Sequence, residues 1–477
     1  MTSTTAKSYD AIVIGSGPNG LGAAIELARN GKSVIVYEAA DTVGGGMRSA
    51  ELTLPGFVHD HCSTVQALCL ASPLFSSLPL SDYGMELVHP EIPVAHPLDD
   101  GSAVLLHRSV EQTAEQLGRD GGHYRNIFEL MTRHWSKLSP QLLSSPLAFP
   151  KHPLLMAGFG MKAMKSARAF VEQNFLTTAA KALFAGCAAH SVLPMEWMGS
   201  AAYGLVLMTA AHAGGWPVAK GGSQKLADAL AAHLRTLGGT IELGRHIRSL
   251  DELPAAKVIL CDVAPRNLAT IAGSRLPPAY VKKLMHYAHG PGAFKIDYAL
   301  SQPVPWKCAD VGRAGTIHLG GTFDDIADAE QFPWDGRCAP RPYVLAVQAS
   351  RFDPTRAPEG KQTFWAYAHV PHGSTADVTE RIEAQLERFA PGFRDCVLAR
   401  KVTTAADFAA WNPNLIGGDI AGGASTFWQT FARPVLSRNP YRTPAKGLYL
   451  CSASTPPGGG VHGMCGYHAA RAALREF

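Results

Sequence analysis

The strand-like run Tyr9-Asp10-Ala11-Ile12-Val13-Ile14 leads straight into Gly15-Ser16-Gly17-Pro18-Asn19-Gly20. This junction constrains the chain more than any other stretch. A helix pattern follows through Leu21, Ala24, Ile25, Leu27 and Ala28. The Gly-x-Gly-x-x-Gly spacing predicts a tight turn at Gly15, close approach of the backbone to a pyrophosphate at Gly17, and close packing of helix on strand at Gly20. The helix N-terminus then points unpaired N–H groups and a partial positive charge at phosphates. A second strand, Ser33 to Tyr37, ends at Glu38. That acid stands about twenty residues past the glycines, where a carboxylate accepts hydrogen bonds from an adenosine ribose. Strand, turn, helix, strand and acid in this order predict a dinucleotide site, with Pro18 and Asn19 inside its turn.

A chain of 477 residues is too long for one simple core, so two domains, or one domain with large insertions, are expected. A net charge of +4 is small for this length and argues against a nucleic-acid partner. No uninterrupted apolar stretch is long enough to predict a transmembrane helix. Met1 to Ser8 is short and polar, with no export or organelle signal. The nine cysteines are scattered and none forms Cys-x-x-Cys. A redox-active disulfide and a zinc ribbon are therefore not expected, and a reducing cytoplasm fits.

Residues 1–70 read as the first part of the nucleotide unit. Residues 71–215 read as a mostly helical cap or substrate region, with helical stretches at Glu111–Leu117, Tyr124–Leu138, Met161–Phe175 and Ser200–Ala213. Residues 216–290 return to the nucleotide unit: a helix opening after Gly221-Gly222-Ser223, a strand at Thr240–Leu243, another around Ile247–Leu250, and the buried strand Lys257 to Asp262. Alternating strands and one amphipathic helix, Ala376–Phe389, fill 291–425 as the substrate-domain sheet. Residues 426–477 close with a strand, a glycine loop and a helix. The alternation predicts an α/β fold: a Rossmann-type domain assembled from discontinuous segments, with an inserted α+β substrate domain.

A glycine fingerprint serves NAD and FAD alike. Just past Glu38 stands Gly44-Gly45-Gly46-Met47-Arg48, and near the C-terminus Cys451-Ser452-Ala453-Ser454-Thr455-Pro456-Pro457-Gly458-Gly459-Gly460-Val461-His462-Gly463-Met464. On these stretches the chain resembles the FAD-dependent amine oxidase and phytoene desaturase superfamily along nearly its whole length. It is most similar to the phytoene dehydrogenase-like branch that includes the pyridine nucleotide-disulfide oxidoreductase domain-containing protein 2 group. The resemblance implies FAD as cofactor and a Rossmann-type FAD domain. It implies that Gly15, Gly17 and Gly20 meet the pyrophosphate and that Glu38 binds the ribose. Gly45 and Arg48 would sit beside the phosphates or ribityl chain, and Ile247 beside the adenine, with Asp262 ending the neighbouring strand. Gly463 and Met464 would offer backbone N–H groups to the ring.

Two residues are candidates for chemistry. Lys295, near the start of a strand after Gly290-Pro291-Gly292, is similar to the amine oxidase lysine that holds a water at the flavin. A surface lysine on a sheet is the competing reading. His462 could act as an acid or base near neutral pH, or simply satisfy the loop backbone. His59 and His61 have metal-ligand residue types, but no further ligand pair follows and no metal site is expected. Cys465 is read as a buried thiol rather than a flavin tether. Trp216, Trp411 and Phe427-Trp428 could line an apolar pocket.

The expected function is an FAD-dependent oxidoreductase moving a hydride equivalent between an apolar organic substrate and the flavin, of the C–C desaturation or saturation type. Oxygen, a quinone or another carrier would serve as electron acceptor. An amine or amino-acid oxidase, a redox-neutral isomerase, and an interaction protein holding structural FAD stay open as alternatives. The apolar and basic stretch His152–Phe170 could rest on a membrane surface, cover the pocket or contact a second copy of the chain, so the expected location is cytoplasmic with an optional peripheral membrane contact. The oligomeric state is left open.

Overall fold

The computed structural model describes residues 8–477; the opening of the polar stretch Met1–Ser8 lies outside the described residues. Two sheets organise it. The first has five parallel strands in the order Leu448–Leu450, Ala256–Cys261, Tyr9–Ile14, Val34–Tyr37, Thr240–Glu242. Its strands are apolar at successive positions because both faces are covered. Ala11, Val13, Val36 and Leu260 face the helices Pro18–Arg29, Gln224–Thr236 and Met464–Ala473. Ile12, Ile14, Ile35 and Leu450 face the helices Pro265–Ala272 and Pro278–Met285. Strands from the beginning, middle and end of the chain thus share one sheet, and the Rossmann-type fold expected from the alternation is the fold observed.

The second sheet has seven strands in the order Val397–Thr403, Gly292–Leu300, Gln362–Val370, Val344–Val347, Ala314–Leu319, Ile92–Pro97, Ala103–Leu106. All pairings are antiparallel except Ala314–Leu319 with Ile92–Pro97. One face packs on the helix Thr379–Phe389. The other meets the helices of the cap, among them Thr178–Ala188 and Ser200–Ala213.

Three local expectations are revised. The region read as mostly helical also donates Ile92–Pro97 and Ala103–Leu106 to the large sheet. No strand forms around Ile247–Leu250; Ser249 instead caps the short turn Leu250–Glu252 through a capping box with Glu252. The helix expected over Met161–Phe175 is two helices, Pro153–Ala163 and Ala167–Asn174, because the Ser166 side chain caps the second by accepting from Ala169 N–H.

The first and last helices touch backbone to backbone. A Cβ at Gly466 would lie 1.7 Å from the carbonyl oxygen of Asn19, and one at Gly22 would lie 2.8 Å from that of Gly463. Neither position has room for a side chain. Gly466→Ala should therefore lower the thermal unfolding midpoint, with a loss of about 1–3 kcal/mol from overpacking. Gly158→Ala, in the helix Pro153–Ala163 with nothing within 4 Å of its would-be Cβ, should be neutral or stabilising by up to about 1 kcal/mol. Equal effects at the two positions would contradict this account of the helix contact.

Candidate functional site

One cavity of about 1450 Å³ runs from the glycine turn of the five-stranded sheet to the open face of the seven-stranded sheet. A pocket for a single small ligand spans about 300–1,000 Å³, so this one has room for more than one molecule.

At the glycine end the sequence dictates the shape. Gly15 has φ +97°, and a Cβ there would lie 2.8 Å from the carbonyl oxygen of Asp262. Gly17 is the N-cap of the helix Pro18–Arg29, with Pro18 as its first residue. A Cβ on Gly17 would lie 2.8 Å from Asp262 Oδ2, and one on Gly45 would lie 3.0 Å from the Cα of Gly17. These two loops approach closely because neither carries a side chain, and the space they leave is a backbone cradle at a helix N-terminus. Gly20 is packed behind it: a Cβ there would lie 2.0 Å from the carbonyl oxygen of Gly15.

Glu38 lines the cavity at the end of its strand. Its Oε2 accepts from Ser16 N–H (2.8 Å) and Ser16 Oγ–H (2.6 Å), and its Oε1 from Ala40 N–H (2.9 Å). The carboxylate is thereby held still with lone pairs to spare. Ile247 lines the same end, buried among residues of the loop that replaced the expected strand. Arg48 donates from Nε to the carbonyl of Gly45 (3.1 Å), and its guanidinium lies 4.3 Å over the Trp411 ring. His61 stacks on that same ring at 4.7 Å and 15°. Trp411 is thus a positioning residue for Arg48, a role its sequence neighbourhood does not reveal.

Asp262 occupies the helix N-terminus itself. Its Oδ2 accepts from Gly20 N–H (2.8 Å), and burial, with Glu38 also unfavourable, raises its carboxyl to about 7.

At the other end of the nucleotide unit, His462 is buried and its Nδ1 accepts from Met464 N–H (3.0 Å). Burial lowers this imidazole to about 4, so at neutral pH it is an uncharged group satisfying the loop backbone. The Met464 N–H expected to face a ring is committed to that contact. Gly463 is the N-cap of the last helix, with φ +69°. Cys465 is a buried thiol donating to the carbonyls of Thr455 and Gly458 (both 3.4 Å).

Lys295 is buried one layer behind the wall. Its Nζ donates to the carbonyl of Asp60 (2.8 Å) and to the Asp297 carboxylate, and lies 5.4 Å over the ring of Trp365, which lines the cavity. The surface-lysine reading is therefore excluded. Asp297 is raised to about 6 by burial, against the pull of Lys295. Asp60 Oδ2 accepts from both Nη atoms of the buried Arg356 (3.1 Å each), and Arg356 Nε donates to Asp353 (3.0 Å). His59 bonds to Thr53 Oγ1 (2.8 Å) while His61 stacks on Trp411, so the two histidines serve different partners.

The far end of the cavity is mainly apolar, with Met156, Phe159, Leu207, Leu345, Phe427 and Phe431 in its walls beside the polar groups of His190, Tyr203, Thr316 and Tyr367. Trp216 lines it as expected, whereas Trp428 is 80 % exposed. Among the described residues, Glu38 and Asp262 are the only carboxylates lining the cavity, and both belong to the glycine end.

The pattern of the NAD(P)-binding Rossmann-like domain family matches residues 13–70. Pyridine nucleotide-disulfide oxidoreductase domain-containing protein 2 of Rattus norvegicus is 27% identical, with the match covering 98% of this chain and 94% of that protein. The 4,4'-diapophytoene desaturase (4,4'-diaponeurosporene-forming) of Staphylococcus aureus is 23% identical over 94% and 95%. A solved structure of wild-type putrescine oxidase bound to putrescine superposes with a TM-score of 0.62 at 17% identity, covering 98% and 99%, and shares the fold.

The raised Asp262 carboxyl makes a prediction for the protein without ligand. A folded-state value above the ordinary one (about 4) means the folded state binds the extra proton, so stability is full below the ordinary value and falls as pH rises toward about 7. Asp262→Asn should flatten that part of the stability-versus-pH curve measured by urea unfolding. An unchanged slope would show that Asp262 ionises freely.

Proposed function

We propose that the chain is a member of the FAD-dependent amine oxidase and phytoene desaturase superfamily and that it moves a hydride equivalent between an apolar organic substrate and bound FAD, in a C–C desaturation or saturation; the likeness to the curated relatives along nearly the whole chain supports this reading. The observation that carries this reading is the cavity's division. A dinucleotide cradle at one end opens into a chamber walled mainly by aliphatic and aromatic side chains, with no carboxylate among the described residues of that part.

The residues fit the cofactor. The Gly17–Gly45 gap is a space a single Cβ would close. We assign the pyrophosphate to the Gly15–Asn19 turn, the ribose to Glu38, the adenine to the Ile247 loop, and the phosphate or ribityl neighbourhood to Gly45 and Arg48. When bound, FAD supplies a ring that takes up two electrons and a proton. The chain's own work is to hold, orient and exclude. The helix N-terminus and Arg48 offset the phosphate charge. The apolar chamber excludes water from the reacting carbon. Lys295, held by Asp297 and the Asp60 carbonyl, supports the Trp365 ring from behind the cavity wall. An ammonium substrate would meet no counter-charge in the apolar chamber, which weighs against the amine oxidase alternative. The electron acceptor in this reading is oxygen, a quinone or another carrier.

We also propose a peripheral membrane contact at the cavity mouth. The helix Pro153–Ala163 turns Met156 and Phe159 inward, yet leaves Leu154 (89 %) and Met161 (65 %) exposed on its outer side. No acidic residue occurs between Glu129 and Glu172, while Lys151, Lys162 and Lys165 do. Apolar exposure with a basic rim suits an anionic bilayer that stores lipid-soluble substrate.

Three measurements test these readings. Gly17→Val should abolish flavin retention on purification, and a fully flavinylated variant would contradict the cradle. Under anaerobic conditions an apolar hydrocarbon should bleach the oxidised flavin (desaturation) or restore the colour of chemically reduced flavin (saturation), and primary amines should not bleach it; bleaching by amines alone would favour the amine oxidase. Co-sedimentation with phosphatidylglycerol vesicles should be lost in Leu154→Glu/Met161→Glu and weakened by salt, whereas equal partitioning of wild type and variant would remove the membrane contact.

A further inference from the structure

Two arginines are buried among the described residues, and their surroundings differ. Arg356 is clamped between Asp60 and Asp353. Arg433, 4 % exposed, lines the cavity beside the Gly458–Gly460 loop and forms no ion pair among the described residues. Its Nε donates to Tyr287 Oη (2.9 Å), and its Nη2 donates to the carbonyls of Gly423 (3.1 Å) and Gly422 (3.3 Å). Nη1 makes no hydrogen bond among the described residues. It borders Gly458 so closely that a Cβ there would lie 2.7 Å from it. The carboxylate with most influence nearby, Asp419, is committed to His289 Nδ1 (3.1 Å) and to the N–H groups of Gly290 (3.1 Å) and Ala421 (2.9 Å).

Tyr287, Asp419 and the Gly422 and Gly423 carbonyls offset the burial of this guanidinium, while Nη1 keeps its donors unused at the cavity wall, where a negatively charged group of a ligand could accept them. The phosphate cradle, with its own cation Arg48, is formed by the Gly15–Asn19 and Gly45 loops. Arg433 instead adjoins the substrate chamber, near Tyr203 and the Gly458–His462 loop.

We infer that Arg433 is a redox-tuning residue: its free Nη1–H stabilises the negative charge that substrate oxidation leaves on the FAD ring. This rests on the FAD reading above. Bound FAD would accept a hydride, two electrons and one proton, and so gain one negative charge beside Arg433, while in a desaturation the substrate's neighbouring carbon would release the second proton to solvent. A fixed cation at the ring favours the reduced state over the oxidised one without strengthening the binding of oxidised FAD.

The test is spectroelectrochemical titration of the holoenzyme and of Arg433→Met and Arg433→Lys. Arg433→Met should disfavour the reduced state at least tenfold, a fall in midpoint potential of about 30 mV for a two-electron couple. The pH at which the reduced flavin spectrum changes from anionic to neutral should rise, Arg433→Lys should recover most of both effects, and the dissociation constant for oxidised FAD should stay within about threefold. An unchanged potential with weaker oxidised-FAD binding would overturn the inference in favour of a structural contact. An unchanged potential with loss of decanoate binding, read as a flavin absorption shift, would overturn it in favour of a substrate carboxylate seat. If Arg433→Met does not retain flavin, Tyr287→Phe, which removes the Nε anchor, should lower the potential in the same direction by less; no shift would count against the inference. Wild-type protein without FAD would instead refute the underlying FAD reading.

Discussion

The structure depends on backbone meeting backbone where side chains are missing. Gly15, Gly17 and Gly20 let the turn after the first strand press against Asp262, which ends the strand Ala256–Cys261. Gly22 and Gly466 let the last helix lie on the first. These contacts join three stretches that are hundreds of residues apart. Without them the five-stranded sheet would still have strands to pair, but no cradle at the C-terminal end of its central strand and no helix end aimed into the cavity. Each contact is intolerant of a single methyl group, which is the cost of bringing peptide groups close to a ligand.

The second constraint is electrostatic and is graded along the cavity. The glycine end carries a helix N-terminus, Arg48 and two carboxylates; Arg433 and a neutral His462 also line the cavity; the rest of its wall is mainly apolar. Such a gradient suits the proposed pairing of a dinucleotide with an apolar partner. Lys295 and Asp297 of the seven-stranded sheet, Asp60 of the two-stranded ribbon formed by Ser49–Glu51 and Val58–Asp60, and Arg356 make a buried charged layer. Breaking any one pair in it would leave a buried charge without its partner.

Much of the nucleotide unit was legible in the amino-acid sequence because glycine spacing encodes backbone geometry directly. The strand, turn, helix and acid from Tyr9 to Glu38 needed no tertiary information. The strands Ala256–Cys261 and Leu448–Leu450 were readable as buried apolar runs. What stayed hidden depends on partners far along the chain. Ile92–Pro97 carries two prolines and becomes a strand because Ala314–Leu319 and Ala103–Leu106 flank it. Ile247 looks like strand in isolation, yet Ser249 and Glu252 draw the backbone into a cap. Asp262 reads as a strand end, and only the fold shows its carboxyl on the helix N-terminus. Arg433 lies in no motif, and nothing in its neighbours announces that it lacks a counter-ion. His462 was open between acid–base group and backbone partner, and its contact with Met464 N–H favours the second.

The central claim is that the two ends of the chain enclose one FAD. The most direct test is to denature purified protein and identify the released nucleotide by chromatography, quantified against the protein concentration. The account predicts FAD close to one per chain, released without proteolysis. Release of a nicotinamide nucleotide, or of no nucleotide from protein that also fails to take up added FAD, would contradict it.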